Sequence, residues 1–225
     1  GHGSNKEGSK ALFLETWAKN YGQAFLRFDY SGHGSSEGVF LETNISDWTR
    51  DAITVLDDLT EGPQILVGSS LGGWIMLNVV LARPERVAGL VGIAAAPDFT
   101  EDLIWQPLNA VSQSAFKAAG QITIENPYAS DPVIYPYHLI TDGRKHLRLR
   151  GSLPITQPVR LLHGINDTEV PWQTAVTLAN CLQSNDVSMH FDKAATHRFS
   201  EPTQLRSLQT VLEQMINQLE HNLGN

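Results

Sequence analysis

Cysteine is almost absent from this chain of 225 residues: Cys181 stands alone, which excludes an internal disulfide and a zinc site built on four thiolates. Its Leu-Ala-Asn-Cys-Leu surroundings place it on a helix face. Positive charge is also in deficit. Sixteen Lys and Arg face 24 Asp and Glu, for a formal net charge of −8, and no basic cluster interrupts the balance, so nucleic acid is not an expected partner. Long apolar runs are missing too. The most apolar stretch, "ILVGSSLGGWIMLNVVLA", carries glycines, serines and an asparagine, and reads as a strand turning into a helix, not a bilayer span. No secretory apolar region stands at the front, and the first residue is Gly1 rather than methionine, as in a trimmed chain.

What is present is a globular composition, 41% apolar and 18% charged, of a size expected to form one domain over 1–225. Short apolar runs bounded by turn residues recur at 24–29 (AFLRFD), 64–69 (QILVGS), 87–96 (VAGLVGIAAA), 158–164 (PVRLLHG) and 187–191 (VSMHF). They lack polar alternation, as strands covered on both faces do. Helical patterns lie between them: "SDWTRDAITVLDDL" with Ser46 as its N-cap, "LGGWIMLNVVLA" before Pro84, and "PWQTAVTLANCLQ" with Pro171 near its first turn. A terminal helix carries Leu205, Leu208, Leu212, Met215, Ile216 and Leu219 on one face. The alternation predicts an α/β fold with a mostly parallel central sheet and helices on both faces.

The rhythm breaks at about 97–155, which reads as an insertion acting as a lid. Its first part is helical in pattern; its second is β-rich, with a tight-turn signal at Asp142-Gly143.

Gly-x-Ser-x-Gly occurs twice, at Gly34 to Gly38 (GSSEG) and at Gly68 to Gly72 (GSSLG). A nucleophile elbow requires a strand directly before the serine and a helix directly after it, with small residues two positions away on each side. Only the second copy meets this. Within it Ser70 is flanked at that distance by Gly68 and Gly72, whereas Ser69 would be flanked by Val67 and Leu71. Ser36 in the first copy is a loop serine, and Gly32, Gly34 and Gly38 have the wrong spacing for a dinucleotide fingerprint.

A serine nucleophile needs a base, and the base needs an acid; in a sheet of this kind they follow in the order serine, acid, histidine on loops at strand ends. After the strand at 158–164, "INDTEVPW" offers Asp167 and Glu169, with Asp167 nearer the strand end. His197, between the last strand and the last helix, is the one histidine of eight with both the order and the loop placement; His163, His190, His138, His146, His221, His2 and His33 lack one or both. The oxyanion would be met by the backbone N–H of Leu71, at the positive end of its helix, and by that of His2 in the loop "GHGSNKEGSKA". Among the insertion's apolar residues, Trp105 and Phe116 are candidates to line an acyl pocket. No cofactor or metal is implied.

The segments "RFDYSGHGSSEG", "GPQILVGSSLGGW", "PVRLLHGINDTEVPW" and "HRF" together resemble the α/β-hydrolase superfamily, and in it the branch of mitochondrial palmitoyl-protein thioesterase-type abhydrolase-domain proteins and their bacterial relatives. The resemblance implies a serine hydrolase of esters or thioesters, with Ser70, Asp167 and His197 as triad and an acylated small molecule or acyl-protein as substrate. It further implies a cytoplasmic location in a bacterium or the mitochondrial matrix in a eukaryote. The chain departs from the branch at Thr196, where an acidic residue is usual, and in missing the strands expected ahead of the oxyanion loop. The rival readings are a prolyl-oligopeptidase-type peptidase and a non-hydrolysing binding module on the same fold.

Overall fold

The computed structural model describes residues 1–125 and 132–223, the side chains of 222 and 223 excepted. Six strands form among them: β1 (Gln64–Ser69), β2 (Val87–Ile93), β3 (Gln121–Ile124), β4 (Val133–Pro136), β5 (Val159–Gly164) and β6 (Val187–Asp192). The helices are α1 (Ser9–Tyr21), α2 (Ile45–Leu59), α3 (Leu71–Ala82), α4 (Ala110–Ala119), α5 (Tyr137–Gly143), α6 (Gln173–Cys181) and α7 (Pro202–Leu223). The central sheet has the order β1-β2-β5-β6 and every pairing in it is parallel. β2 and β5, in the middle, are buried almost throughout, which is why their sequences are continuous apolar runs.

Each face of the sheet carries its own core. Met76, Leu77 and Val80 of α3 meet Ala175 and Leu178 of α6 over Leu90, Val159 and Leu161. On the other face Leu14 of α1 and Leu208, Leu212 and Met215 of α7 cover Val91, Ile93 and Leu162. The stripe expected on the terminal helix is thus core, and Cys181, half-buried, closes α6.

Three local expectations give way. Residues 24–29 form no strand: β1 pairs with β2 alone among the described residues, so 24–29 have no ladder to join, and Leu26 and Val67 are left exposed. Asn44, not Ser46, caps α2 by accepting from Asp47 N–H at 3.1 Å. Asp142-Gly143 is the last turn of α5 rather than a hairpin turn, because the chain turns helical directly after Pro136 and no strand follows to pair.

Ser46 and Asp142 do something else together. Ser46 donates from its N–H (2.8 Å) and its hydroxyl (2.7 Å) to the Asp142 carboxylate, and His146 Nε2 lies 2.7 Å from the same hydroxyl. The serine sits between acid and imidazole, so this group cannot relay a proton as a triad does; it ties the insertion to the first turn of α2. A second tie is Asp98, which is fully buried with a φ of 62° and accepts from the N–H groups of Arg148 (2.6 Å) and Leu149 (2.8 Å). The two ends of the insertion are therefore bonded to each other. Between them lie a π-helical turn (Thr100–Trp105), α4, the antiparallel β3–β4 pair and α5. The β-rich part of the insertion includes 126–131, which lie outside the described residues.

β1 runs into α3 through Ser70, whose φ of 54° and ψ of −120° are strained for a residue with a side chain. Ile93 O accepts from its N–H at 3.0 Å, and its carbonyl takes the N–H groups of Gly73 and Ala96. A Cβ at Gly68 would stand 2.4 Å from Gly72 O and 2.8 Å from Gly73 Cα. Gly72 is different: a Cβ there meets nothing within 4 Å. The second close approach belongs to Gly73, where a Cβ would come within 2.5 Å of the Ala95 Cβ. Gly68 and Gly73, rather than Gly68 and Gly72, are the glycines this elbow needs. In urea denaturation Gly73→Ala should cost about 1–3 kcal/mol by overpacking, while Gly72→Ala should be neutral or stabilising by up to about 1 kcal/mol.

Candidate active site

Ser70, Asp167 and His197 arrive from three separate connections at the C-terminal ends of parallel strands: after β1, after β5, and between β6 and α7. His197 Nε2 lies 3.0 Å from Ser70 Oγ, and His197 Nδ1 lies 2.7 Å from Asp167 Oδ2. One imidazole spans residues 127 and 30 positions away. Glu169, the other acid considered, comes no nearer than 3.8 Å to His197, at Nε2, with a side chain 37% exposed.

The Asp167 side chain has no solvent exposure. Its Oδ1 accepts from the N–H groups of Glu169 and Val170, both at 2.9 Å. Its Oδ2 is shared by His197 and His163, the latter at 3.1 Å. His163 Nε2 is also 3.0 Å from Val170 O, an atom that only accepts, so that nitrogen carries the proton. Burial by itself would raise the Asp167 carboxyl; the hydrogen bonds from His163 and His197, the charge His197 can carry and the Val170 N–H outweigh it and hold the group well below the usual carboxylate range.

In the sequence His163 precedes Asp167 and so lacks the order expected of the base. Its position at the end of β5, four residues before Asp167, was the available signal, since a buried histidine there must spend its N–H on something nearby.

Leu71 is fully buried as the first residue of α3, so its N–H has no partner four residues earlier in the helix. The segment of His2 passes beside the elbow, where a Cβ on Gly1 would lie 3.8 Å from Ser70 Cβ. The His2 imidazole stacks on Tyr135 (5.1 Å) and meets Phe40 (4.8 Å), Phe99 and Trp48 (both 5.9 Å) edge-on. Burial, with His33 nearby, pulls its pKa down to about 3, so it is neutral at pH 7.

Trp105 and Phe116 meet each other and Tyr137, with Lys117 and Arg144 over the indole. These ring contacts lie within the insertion. Ser36 donates to Asp29 O at 2.7 Å in a loop, as its sequence context implied.

The profile of the family described as serine aminopeptidase, S33 (Hydrolase_4) matches residues 2–136. The mouse mitochondrial palmitoyl-protein thioesterase ABHD10 is 41% identical over 97% of this chain and 74% of its own length. Its human counterpart is 38% identical over 97% of this chain and 72% of its own length. A solved structure of mouse alpha/beta hydrolase domain-containing protein 10 superposes with a TM-score of 0.92 at 40% identity, over 97% of this chain and 88% of that one. The parallel sheet, the strained serine between strand and helix, and these likenesses agree: the chain belongs to the Hydrolase_4 family of α/β-hydrolases, on the thioesterase branch that its motifs resemble.

Proposed function

We propose that this chain hydrolyses esters or thioesters of acyl groups through an acyl-enzyme on Ser70, with His197 as base and Asp167 as the acid that orients it. The observation that carries this reading is the single imidazole within hydrogen-bonding distance of both Ser70 Oγ and Asp167 Oδ2. Ser70 Oγ attacks the carbonyl carbon while its proton passes to His197 Nε2. The oxyanion is met by the N–H of Leu71 and of His2. Collapse breaks the carbonyl–sulfur or carbonyl–oxygen bond, and His197 returns the proton to the departing thiolate or alkoxide. Water then repeats the sequence: it loses a proton to His197, attacks the acyl-serine and releases the carboxylic acid as Ser70 recovers its hydroxyl proton. Through both halves Asp167 holds the Nδ1 proton and balances the imidazolium.

The names of the mouse and human relatives favour an S-palmitoyl protein as substrate and a mitochondrial site of action, with smaller acylated molecules as substrates of the same chemistry. No helix among the described residues is long and apolar enough to cross a membrane. Phe40, Phe99 and Tyr135, gathered round His2 beside the elbow, are apolar enough to receive an acyl chain. Trp105 and Phe116 take part as the packing behind that wall. The family's description favours one rival, cleavage of an aminoacyl amide by the same nucleophile.

With palmitoyl-thioester, acetyl-ester and aminoacyl p-nitroanilide substrates, the palmitoyl thioester should be turned over fastest, and Ser70→Ala should lower kcat at least about 10³-fold. Preference for the anilide would establish the rival, and equal turnover by wild type and Ser70→Ala would sink both. Because the folded-state pKa of Asp167 is depressed, its contribution to stability is complete above the unfolded value of about 3.9 and is lost as pH falls through the lower folded value. Urea titrations of wild type and Asp167→Asn should therefore show a wild-type advantage that persists down to pH 5 and shrinks only below about pH 4.

A further inference from the structure

The glycine-rich stretch around the first Gly-x-Ser-x-Gly sequence holds no nucleophile, yet it is bonded closely to the segment that carries His2. Asp29 accepts from the N–H of Lys6 and, at 3.0 Å, from the N–H of Ser35. Arg27 donates to Lys6 O at 2.8 Å. Gly34 has a φ of 51° and passes so close to Asp29 that a Cβ there would stand 2.2 Å from Oδ2, so the carboxylate fits only beneath a glycine.

His33 bonds the peptide group that follows His2, the proposed oxyanion donor. It is 3% exposed and ringed edge-on by Phe40 (4.9 Å), Trp48 (5.2 Å) and Tyr30 (5.8 Å). Its Nδ1 faces Ser31 O at 3.2 Å, and a carbonyl only accepts, so the ring proton is on Nδ1. Nε2 is then a lone pair, and Gly3 N–H donates to it at 3.2 Å. Burial pulls the His33 pKa down, which keeps the ring in this neutral form.

The two peptide groups flanking His2 are thereby tied. The Gly1 carbonyl accepts from Ser4 N (3.1 Å) and Ser4 Oγ (2.8 Å), and in a trans peptide the His2 N–H points opposite to that carbonyl. The next peptide group is held by His33. We propose that His33 is a positioning residue of the oxyanion hole, its Nε2 lone pair fixing the Gly1–Ser4 turn so that the His2 N–H meets the oxygen that becomes negative when Ser70 attacks. This rests on the acyl-enzyme reading of Ser70.

Two substitutions separate the lone pair from the ring. His33→Phe keeps the aromatic packing and removes the acceptor; the Ser31 carbonyl keeps its bond from Trp48 Nε1 at 3.2 Å. His33→Gln gives up the ring and restores an oxygen acceptor near the position of Nε2. With a palmitoyl thioester, His33→Phe should lower kcat about tenfold to a hundredfold, less than full removal of an oxyanion donor, with KM within about twofold. His33→Gln should stay within about threefold of the wild-type kcat. If Phe retains kcat, or Gln loses as much as Phe, the Nε2 lone pair is not what acts and the proposal is overturned. Should the Phe variant fail to fold, His33→Leu is compared with Gln in its place. The rate at which a fluorophosphonate probe labels Ser70 reads the hole without substrate and should fall in the Phe variant alone. If wild type is labelled yet turns over no ester or thioester, the acyl-hydrolysis reading fails while this labelling comparison still decides the role of His33.

Discussion

A carboxylate shut away from water must be surrounded by donors or it takes up a proton, and the arrangement of this site follows from how Asp167 meets that requirement. Its donors come from its own loop, from the end of β5 through His163, and from the β6–α7 connection through His197. The first two adjoin β5, and the third leads from its neighbour β6 into α7, which covers one face of the sheet. Holding one charge thus fixes the relative placement of His197 and its loop. The hydroxyl of Ser70 is then within reach of the nitrogen that Asp167 leaves free.

The position of Ser70 depends on close packing rather than on charge. A serine with positive φ is held because β1 and α3 approach at Gly68 and the loop after β2 presses against Gly73. The insertion adds the apolar cover. Phe99, Ile104, Leu139 and Ile140 pack with Leu71 and Trp74 of α3 and with Val170 of the Asp167 loop, so the apolar cluster reaches from the insertion to both sides of the candidate site. Asp98 and Asp142 hold that cover with charge-assisted bonds to backbone N–H groups, and Trp74 Nε1 to His146 O (2.8 Å) and Arg148 Nε to Asn78 Oδ1 (2.6 Å) join it to α3 as well.

Much of this was legible in the residues. The central strands β2 and β5 are buried on both faces and leave continuous apolar runs, while the more exposed β1 and β6 show as short β-branched or apolar runs bounded by turn residues, and Ser70, Asp167 and His197 stand in that order at strand ends. Segments whose state depends on a partner distant in sequence are not legible in this way. The run at 24–29 has the composition of a strand but no ladder; Ser46 has the chemistry of a cap, yet its hydroxyl and N–H are taken by Asp142 from across the fold; Asp142-Gly143 has the form of a tight turn inside a helix. Trp105 and Phe116 are apolar residues at helical spacing, and spacing does not say which neighbour they face.

Local stereochemistry and chain order, properties a sequence carries by itself, determined the alternating architecture, the strand-to-helix elbow at Ser70 and the expectation that Ser70, rather than Ser69 or Ser36, is the nucleophile. The tertiary structure decided which glycine after the serine must lack a side chain, that His163 shares the burden of Asp167, and that His33 accepts from Gly3. Each of these is a contact between atoms whose separation is set by how strands and loops stack, a distance that no spacing along the chain encodes.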